Sequence, residues 1–263
     1  MQEWAAKIRS DDLRRIDSSI RVGYLQGETP TQIAGRVVGT ARLRGVDGIT
    51  EITRRQATAI TRTAVNFVAS EARAEWIAEN EDLVQEEQFV ATLDSRTTPV
   101  CRANDGHRYP LGKGPRPPLH YQCRSLRVPV LDGDAMGDRP AKPSTERMLL
   151  REFAERNKLD KVPGERSALP RGTKGAFDDF SRRRVRELTG QVPAKTTYQE
   201  WLTAQSAEFQ NDVLGPTRAK LFRDGGLPLE KFVDHSGEQL NLSLLASKEA
   251  AAFRAAGLDP HDF

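Results

Sequence analysis

The sequence has few of the features that mark membrane-spanning, exported or disulfide-linked proteins. It contains no run of about 18 uncharged apolar residues, the length that a membrane-spanning helix needs, so we expect no membrane partner. Two cysteines in 263 residues are too few for a disulfide-stapled scaffold. No basic stretch followed by an apolar one begins the chain, and we therefore expect no signal peptide. Aromatic residues make up 6% and the mean hydropathy is -0.60, which is typical of a polar but folded chain.

The chain also lacks the short motifs of several enzyme classes. It contains no HExxH and no GxSxG, and Gly112-Lys113-Gly114 is shorter than a phosphate-binding P-loop and lies among prolines. The enzyme alternative that the residues leave open is a thiol- or metal-dependent hydrolase or nuclease at a cysteine–histidine pair. We expect a protein that is not an enzyme.

Charge is distributed unevenly along the chain. The whole sequence has 40 basic and 37 acidic side chains, which implies no particular partner. Between Arg96 and Arg127, however, seven cations accompany a single acid, Asp105. Such an excess suits phosphate groups or an acidic protein surface, although a solvated arginine-rich loop has the same composition. The candidate DNA- or partner-binding residues are Arg96, Arg102, Arg108, Lys113, Arg116, Arg124 and Arg127.

Helical patterns cover the first and last thirds of the chain. Thr29-Pro30-Thr31-Gln32 has the residues of a capping box with proline at the first helical position. A long helix follows, with a predicted core stripe at every fourth residue: Ile60, Ala64, Val68, Ala72 and Trp76. Thr197-Tyr198-Gln199-Glu200 predicts a second capping box, which opens the C-terminal helices.

The pattern changes to strands between residues 88 and 131. Phe89, Ala91 and Leu93 lie at every second position, as on one face of a strand, and Asn104-Asp105-Gly106 predicts a tight turn between two extended segments. Three prolines at 115, 117 and 118 predict an extended loop. We predict an α+β fold, in which helical N-terminal and C-terminal regions flank a small antiparallel β unit with a long proline-rich loop. The predicted domains are 1–131 (helices 1–85, β unit 88–131), a linker with short helices at 132–196, and a helical region at 197–263.

Both cysteines and two of the four histidines fall within the β unit, at Cys101, His107, His120 and Cys123. Thiolate and imidazole are the ligands of structural zinc, and the two-residue gap between His120 and Cys123 suits a metal knuckle. Two other interpretations stand beside zinc. Cys101 and Cys123 could lie close together as thiols or as a disulfide, or the same side chains could simply pack and hydrogen-bond.

Two segments of the β unit resemble a known signature. Thr97–Gly106 and Pro117–Arg124 are similar to the paired motifs of the phage Mu protein F-like minor head proteins, the head morphogenesis proteins of tailed phages. The family pattern is carried over onto Cys101, His120 and Cys123, and His107 would then be an improvised fourth ligand. Thr98 and Ser125 stand where that pattern has its first and last cysteines. Weaker resemblances extend to Ala59–Ala64, Tyr198–Leu202 and Phe209–Arg218.

The resemblance implies a structural protein of the capsid interior that acts in head morphogenesis near the portal. Its implied partners are the portal protein, the major capsid or scaffolding protein, and viral DNA. Its implied location is the virion, with the host cytoplasm as the site of assembly. Zinc is the one cofactor that the residues suggest, and no cofactor is certain.

Overall fold

The computed structural model describes residues 10–39, 48–49, 54–131 and 137–263. The predicted helical residues 1–9 and the start of the predicted linker, 132–136, lie outside these ranges. The chain falls into two compact units, Met1–Glu87 with Pro110–Pro129, and Gln88–Tyr109 with Val130–Phe263. Helices dominate and the strands are few and short, so the predicted α+β class is confirmed.

In its described residues, the first unit contains three helices, α1 (Ser10–Leu25), α2 (Pro30–Val38) and α3 (Arg54–Ala78). The predicted capping box at the start of α2 is confirmed. The Gln32 amide donates to the Thr29 hydroxyl at 3.3 Å, and the Gln32 side-chain oxygen accepts from the Thr29 amide at 2.8 Å. The three helices share a small apolar core formed by Ile16, Ile20, Ile33, Ala34, Val37 and Ala57.

The core stripe predicted for α3 is only partly correct. Ile60 and Ala64 pack against the small core, but Trp76 is 51% exposed and its neighbour Ile77 is buried instead. The reason is geometric, because residues four apart on a helix turn by about 40° at each step and drift off one face. Five residues at that spacing span nearly half the helix circumference, so Trp76 cannot share the face of Ile60.

Six short strands form two sheets. The strands are β1 (Glu86–Val90), β2 (Leu93–Asp94), β3 (Arg108–Pro110), β4 (Leu126–Val130), β5 (Arg139–Lys142) and β6 (Gly190–Val192). The first sheet has the order β3-β1-β4 and uses the segments that were predicted as strands. The second has the order β2-β5-β6, with β2 and β5 parallel and β5 and β6 antiparallel. Only β2 of this second sheet was predicted, because β5 and β6 lie in the predicted linker.

The predicted extended segment before Asn104-Asp105-Gly106 is wrong. Residues Pro99–Asn104 form a short helix, α4, with Pro99 at its first turn, where its fixed backbone angle suits a helix and its missing N–H is not needed. The turn itself is present, and Gly106 adopts a φ of 86°. A Cβ atom at this position would lie 2.6 Å from the Cγ2 of Thr197, so the turn requires glycine.

The second unit holds the remaining helices. They are α5 (Glu146–Arg156), α6 (Lys174–Leu188), α7 (Tyr198–Thr203), α8 (Ala207–Leu214), α9 (Pro216–Arg223), α10 (Leu242–Lys248) and α11 (Ala250–Ala255). The Thr197 capping box that begins α7 is confirmed, since Thr197 and Glu200 bond each other's backbone amides. Behind it, the Trp201 ring packs edge to face between Tyr198 and Phe209, with centroid distances of 5.1 and 5.5 Å.

Helices α5 and α6 form a hairpin, residues 146–188, with a core of its own. The core residues are Leu149, Leu150, Phe153, Leu169, Phe177 and Phe180. Arg166 fixes the connecting loop, because its guanidinium donates two hydrogen bonds to the carboxylate of Asp178, at 2.6 and 2.5 Å. Among the helices of the described ranges, none has the length and apolar character needed to cross a bilayer.

Candidate functional site

The four predicted metal-ligating residues are divided between the two units. Cys101 lies on α4 of the second unit, while His120 and Cys123 lie in the loop before β4 in the first unit, and both cysteine side chains are buried. His107 lies in the second unit. Its Nε2 lies 3.5 Å from the Glu230 carboxylate, and both side chains are about half exposed.

Helix α3 holds the loop that carries His120 and Cys123. The Gln122 amide donates to the Thr63 hydroxyl at 2.9 Å, and the Asn66 side-chain amide donates to the carbonyls of Cys123 and Ser125 at 3.0 and 3.3 Å. Gln122 has a φ of 56°, so the loop turns sharply between the histidine and the cysteine. Thr63 and Asn66 therefore position the loop, and sequence reasoning did not identify them in this role.

The groups around His120 raise the pKa of its imidazole. A hydrogen bond with Cys123 is the main cause that raises the pKa of His120, and the Tyr121 carbonyl, 2.8 Å from Nδ1, raises it further, while partial burial opposes both. When Nδ1 donates to a backbone carbonyl, the lone pair of the neutral ring is on Nε2. Histidines that bind metals commonly use this arrangement to fix the ring orientation.

The donor types agree with those of a zinc site. Thiolates and an imidazole suit the borderline character of Zn²⁺, which structural sites bind with four tetrahedral ligands. Within the first unit, His120 and Cys123 supply one nitrogen and one sulfur donor of this kind. The residues at the first and last cysteine positions of the resembled pattern, Thr98 and Ser125, supply no thiolate.

The predicted cationic surface needs correction at three positions, Arg102, Arg116 and Arg127. Arg102 and Arg127 are 8% and 1% exposed, so neither side chain is available at the surface to bind a partner. The Arg102 guanidinium donates to the carbonyls of Val213 and Ser95 at 3.1 and 3.3 Å and lies over the Tyr198 ring. A charge count along the sequence cannot distinguish such an internal hydrogen-bonding role from a surface one.

Arg127 belongs to a buried cluster that anchors the proline-rich loop. Its guanidinium donates to the carbonyls of Lys113 and Pro115 at 3.0 and 3.1 Å and to the buried carboxylate of Glu87 at 3.2 Å. Arg116 donates to the same Glu87 oxygen at 2.9 Å. Two of the predicted surface cations are thus paired with one acid inside the first unit, and their charge stabilises the loop.

The acid of the signature, Asp105, has an equivalent role in the second unit. Its carboxylate accepts two hydrogen bonds from the Arg139 guanidinium at 2.9 and 3.1 Å, and it also accepts from the backbone amides of Ala91 and Tyr198. Burial raises the pKa of Asp105, while Arg139 and the two amides act to lower it. Tyr198 is the first residue of α7, so Asp105 ties the signature turn to the start of that helix.

Four of the seven predicted cations remain at the surface. Arg96, Arg108, Lys113 and Arg124 are exposed, and Arg96 lies 3.8 Å from the Asp94 carboxylate. Lys113 stands at the tip of the anchored loop, between two glycines with positive φ angles. These four residues are the part of the predicted interface that the structure leaves accessible.

The described residues form an α+β fold whose signature segments are held by hydrogen bonds and buried ion pairs. Residues 14–127 match the family model described as phage Mu protein F like protein. This match covers somewhat less than half of the chain and confirms the resemblance seen in the signature segments. No curated protein and no solved structure matches the chain. The weaker resemblances at Tyr198–Leu202 and Phe209–Arg218 lie outside the matched residues. Nothing in the match supports the enzyme alternative.

Proposed function

We propose that the protein is a structural minor head protein of a tailed phage, acting near the portal during head morphogenesis. The observation that carries the proposal is the family match over residues 14–127, which includes both signature segments. Two buried residues, Asp105 in the first signature segment and Arg127 just after the second, make hydrogen bonds that join distant parts of the chain. Such contacts suit a scaffold role, in which a rigid surface is presented to other head proteins.

The proposed partners are the portal protein, the major capsid or scaffolding protein, and viral DNA. Support for an electrostatic contact comes from the exposed cations Arg96, Arg108, Lys113 and Arg124. The proposed location is the interior of the virion, with assembly in the host cytoplasm.

The test is incorporation into particles. The full chain is co-expressed with the portal, scaffolding and major capsid proteins of the same genome, and its abundance in purified particles is measured by mass spectrometry. We expect a few copies per particle, and a lower number for the variant with Arg96→Glu and Arg124→Glu. A matched variant with Lys248→Glu and Arg254→Glu changes the net charge equally at exposed cations of α10 and α11. Particles that form without the protein bound would contradict the proposed function.

We propose that Cys101, His120 and Cys123 are ligands of a zinc ion, as the resembled pattern implies. When bound, it would supply a crosslink between these side chains and no chemistry on a substrate, as closed structural sites do. Elemental analysis of chain purified without chelators should give about one zinc per chain, and Cys123→Ser should lower that value. Chain that is folded, metal-free and indifferent to added zinc in thermal unfolding would refute the zinc site and leave the head assignment standing.

A further inference from the structure

The hairpin of residues 146–188 carries positive charges that form no ion pair with the described residues. It contains twelve cations and eight acids. Four of its arginines form ion pairs with acids of the hairpin, namely Arg156, Arg166, Arg182 and Arg184. In the described part of the chain, six other cations lie within ion-pair distance of no carboxylate: Lys158, Lys161, Arg171, Lys174, Arg183 and Arg186.

These six cations lie on an ordered surface. Leu169 is buried in the hairpin core and Arg166 bonds Asp178, so the loop between the two helices is fixed against α6. On α6 itself, Phe177 and Phe180 face the core. Arg183 and Arg186 are exposed. With 3.6 residues per turn, Arg186 lies opposite Phe177 around the helix, and Arg183 lies on the flank between Arg186 and Phe180.

The length of this surface can be compared with that of a nucleic acid. Lys174 and Arg186 are twelve residues apart on one helix, or about 18 Å along its axis. Successive phosphates of one DNA strand are about 3.4 Å apart along the duplex, so the helix spans about five base pairs. Arginine and lysine side chains spread over this distance can contact several phosphates at once.

The same surface lacks the features of a protein interface. Stable protein interfaces are built around buried aromatic or aliphatic anchors. Among the large apolar side chains of residues 146–188, all within the described ranges, Val162 alone is strongly exposed, at 51%. A surface with unpaired cations and a single exposed apolar residue suits the phosphate backbone of a nucleic acid better than an apolar protein patch.

We infer that the hairpin of residues 146–188 is a nucleic-acid-binding surface that contacts the phosphate backbone through Lys158, Lys161, Arg171, Lys174, Arg183 and Arg186. Its binding is electrostatic and independent of base sequence, and its affinity falls steeply with salt concentration. This surface lies outside the family match and is distinct from the four exposed cations of the signature region.

The test uses the full chain and a 20-base-pair duplex of mixed sequence, with fluorescence anisotropy over a series of salt concentrations. The double variant Arg183→Glu with Arg186→Glu should bind roughly tenfold or more weakly, and the slope of log affinity against log salt should become shallower by about two. The control is the double variant Lys248→Glu with Arg254→Glu, which has the same net charge and should bind as the unmodified chain does.

Two results would overturn the inference. One is equal affinity of the hairpin variant and the control variant for the duplex. The other is equally tight binding of poly-glutamate at the same charge concentration, which would point to an acidic protein as the partner. This experiment uses the isolated chain and a synthetic duplex, so a negative result would not contradict the proposed head function. Conversely, failure of the protein to enter particles would not contradict its binding to the duplex.

Discussion

Two cation-rich regions of the chain, residues 96–127 and the hairpin of residues 146–188, use positive charge in opposite ways. In the first region, Arg102, Arg116 and Arg127 donate hydrogen bonds to backbone carbonyls and to the buried carboxylate of Glu87. Much of the positive charge there therefore stabilises loops. In the second, arginines such as Arg183 and Arg186 are exposed and form no ion pair in the described parts of the chain. The comparison teaches that a local excess of positive charge is no guide to a binding surface until the partners of each cation are known.

The largest effect is expected at Arg127. Replacement by methionine leaves the buried carboxylate of Glu87 with Arg116 alone and deprives two loop carbonyls of their donor, so the free energy of unfolding should fall by about 3–5 kcal/mol. Urea denaturation measures this change, with Arg108→Met as the exposed control. If Arg127→Met lowers the free energy of unfolding no more than Arg108→Met does, Arg127 does not stabilise the fold, and the contrast between residues 96–127 and the hairpin is lost.

A slightly smaller loss is expected for Asp105→Asn. An amide group cannot accept on both sides, so in either orientation its NH2 faces an N–H of Arg139 together with the backbone amide of Ala91 or of Tyr198. We expect a loss of about 3 kcal/mol in urea denaturation. Asp160→Asn, an exposed acid of the hairpin, should leave stability unchanged, and an equal response of the two variants would argue against the role given to Asp105.

Removal of the Asn66 side chain should have a moderate effect. In Asn66→Ala the carbonyls of Cys123 and Ser125 lose a donor, and the unfolding free energy should fall by about 1–2 kcal/mol. If the proposed zinc is bound, its dissociation should also become faster, which a chromogenic chelator can follow. Asn211→Ala, at an exposed position of α8, serves as the control. Equal rates of zinc release from the two variants would mean that Asn66 does not hold the loop.

Tyr198 offers a test of the surroundings of Arg102. Burial raises the pKa of Tyr198 to about 12, although the nearby Arg102 lowers it. The unfolded chain ionises this phenol near its ordinary pKa of 10.0 and the folded chain does so later, so stability should decrease as the pH rises from about 10 to 12. Absorbance at alkaline pH should show a late phenolate that is missing in Tyr198→Phe, and its absence from the unmodified chain would contradict the burial.

The smallest effect on stability is expected in the hairpin. Charge reversal at Arg183 and Arg186 should leave the midpoint of thermal unfolding unchanged, since these side chains contact no acid in the described structure. A marked shift of the midpoint would mean that they stabilise the fold, as Arg127 does.

Local signals in the sequence predicted local structure well. The capping boxes at Thr29 and Thr197 and the turn at Gly106 depend on neighbours within four residues, and all three are present. The buried ion pairs could not be predicted in this way. Glu87 and Arg127 are 40 positions apart and Asp105 and Arg139 are 34 apart, so their pairing depends on the folded chain.

The candidate site was predicted in part for a similar reason. Residue type and spacing, and then a family resemblance, pointed to Cys101, His120 and Cys123, and of these His120 and Cys123 interact within the first unit. His107 satisfied the same criteria but lies beside Glu230. Thr63 and Asn66 have no distinctive chemistry, and their role depends on where α3 places them.

Because Cys101 and Cys123, the only cysteines of the chain, are 1% and 2% exposed, thiol reagents should react slowly with the folded protein. A cysteine introduced at Arg171 would then be the preferred point of attachment for a fluorophore or a photo-crosslinker. Illumination of such a conjugate inside assembled particles would identify by covalent capture which molecule, DNA or protein, adjoins the hairpin.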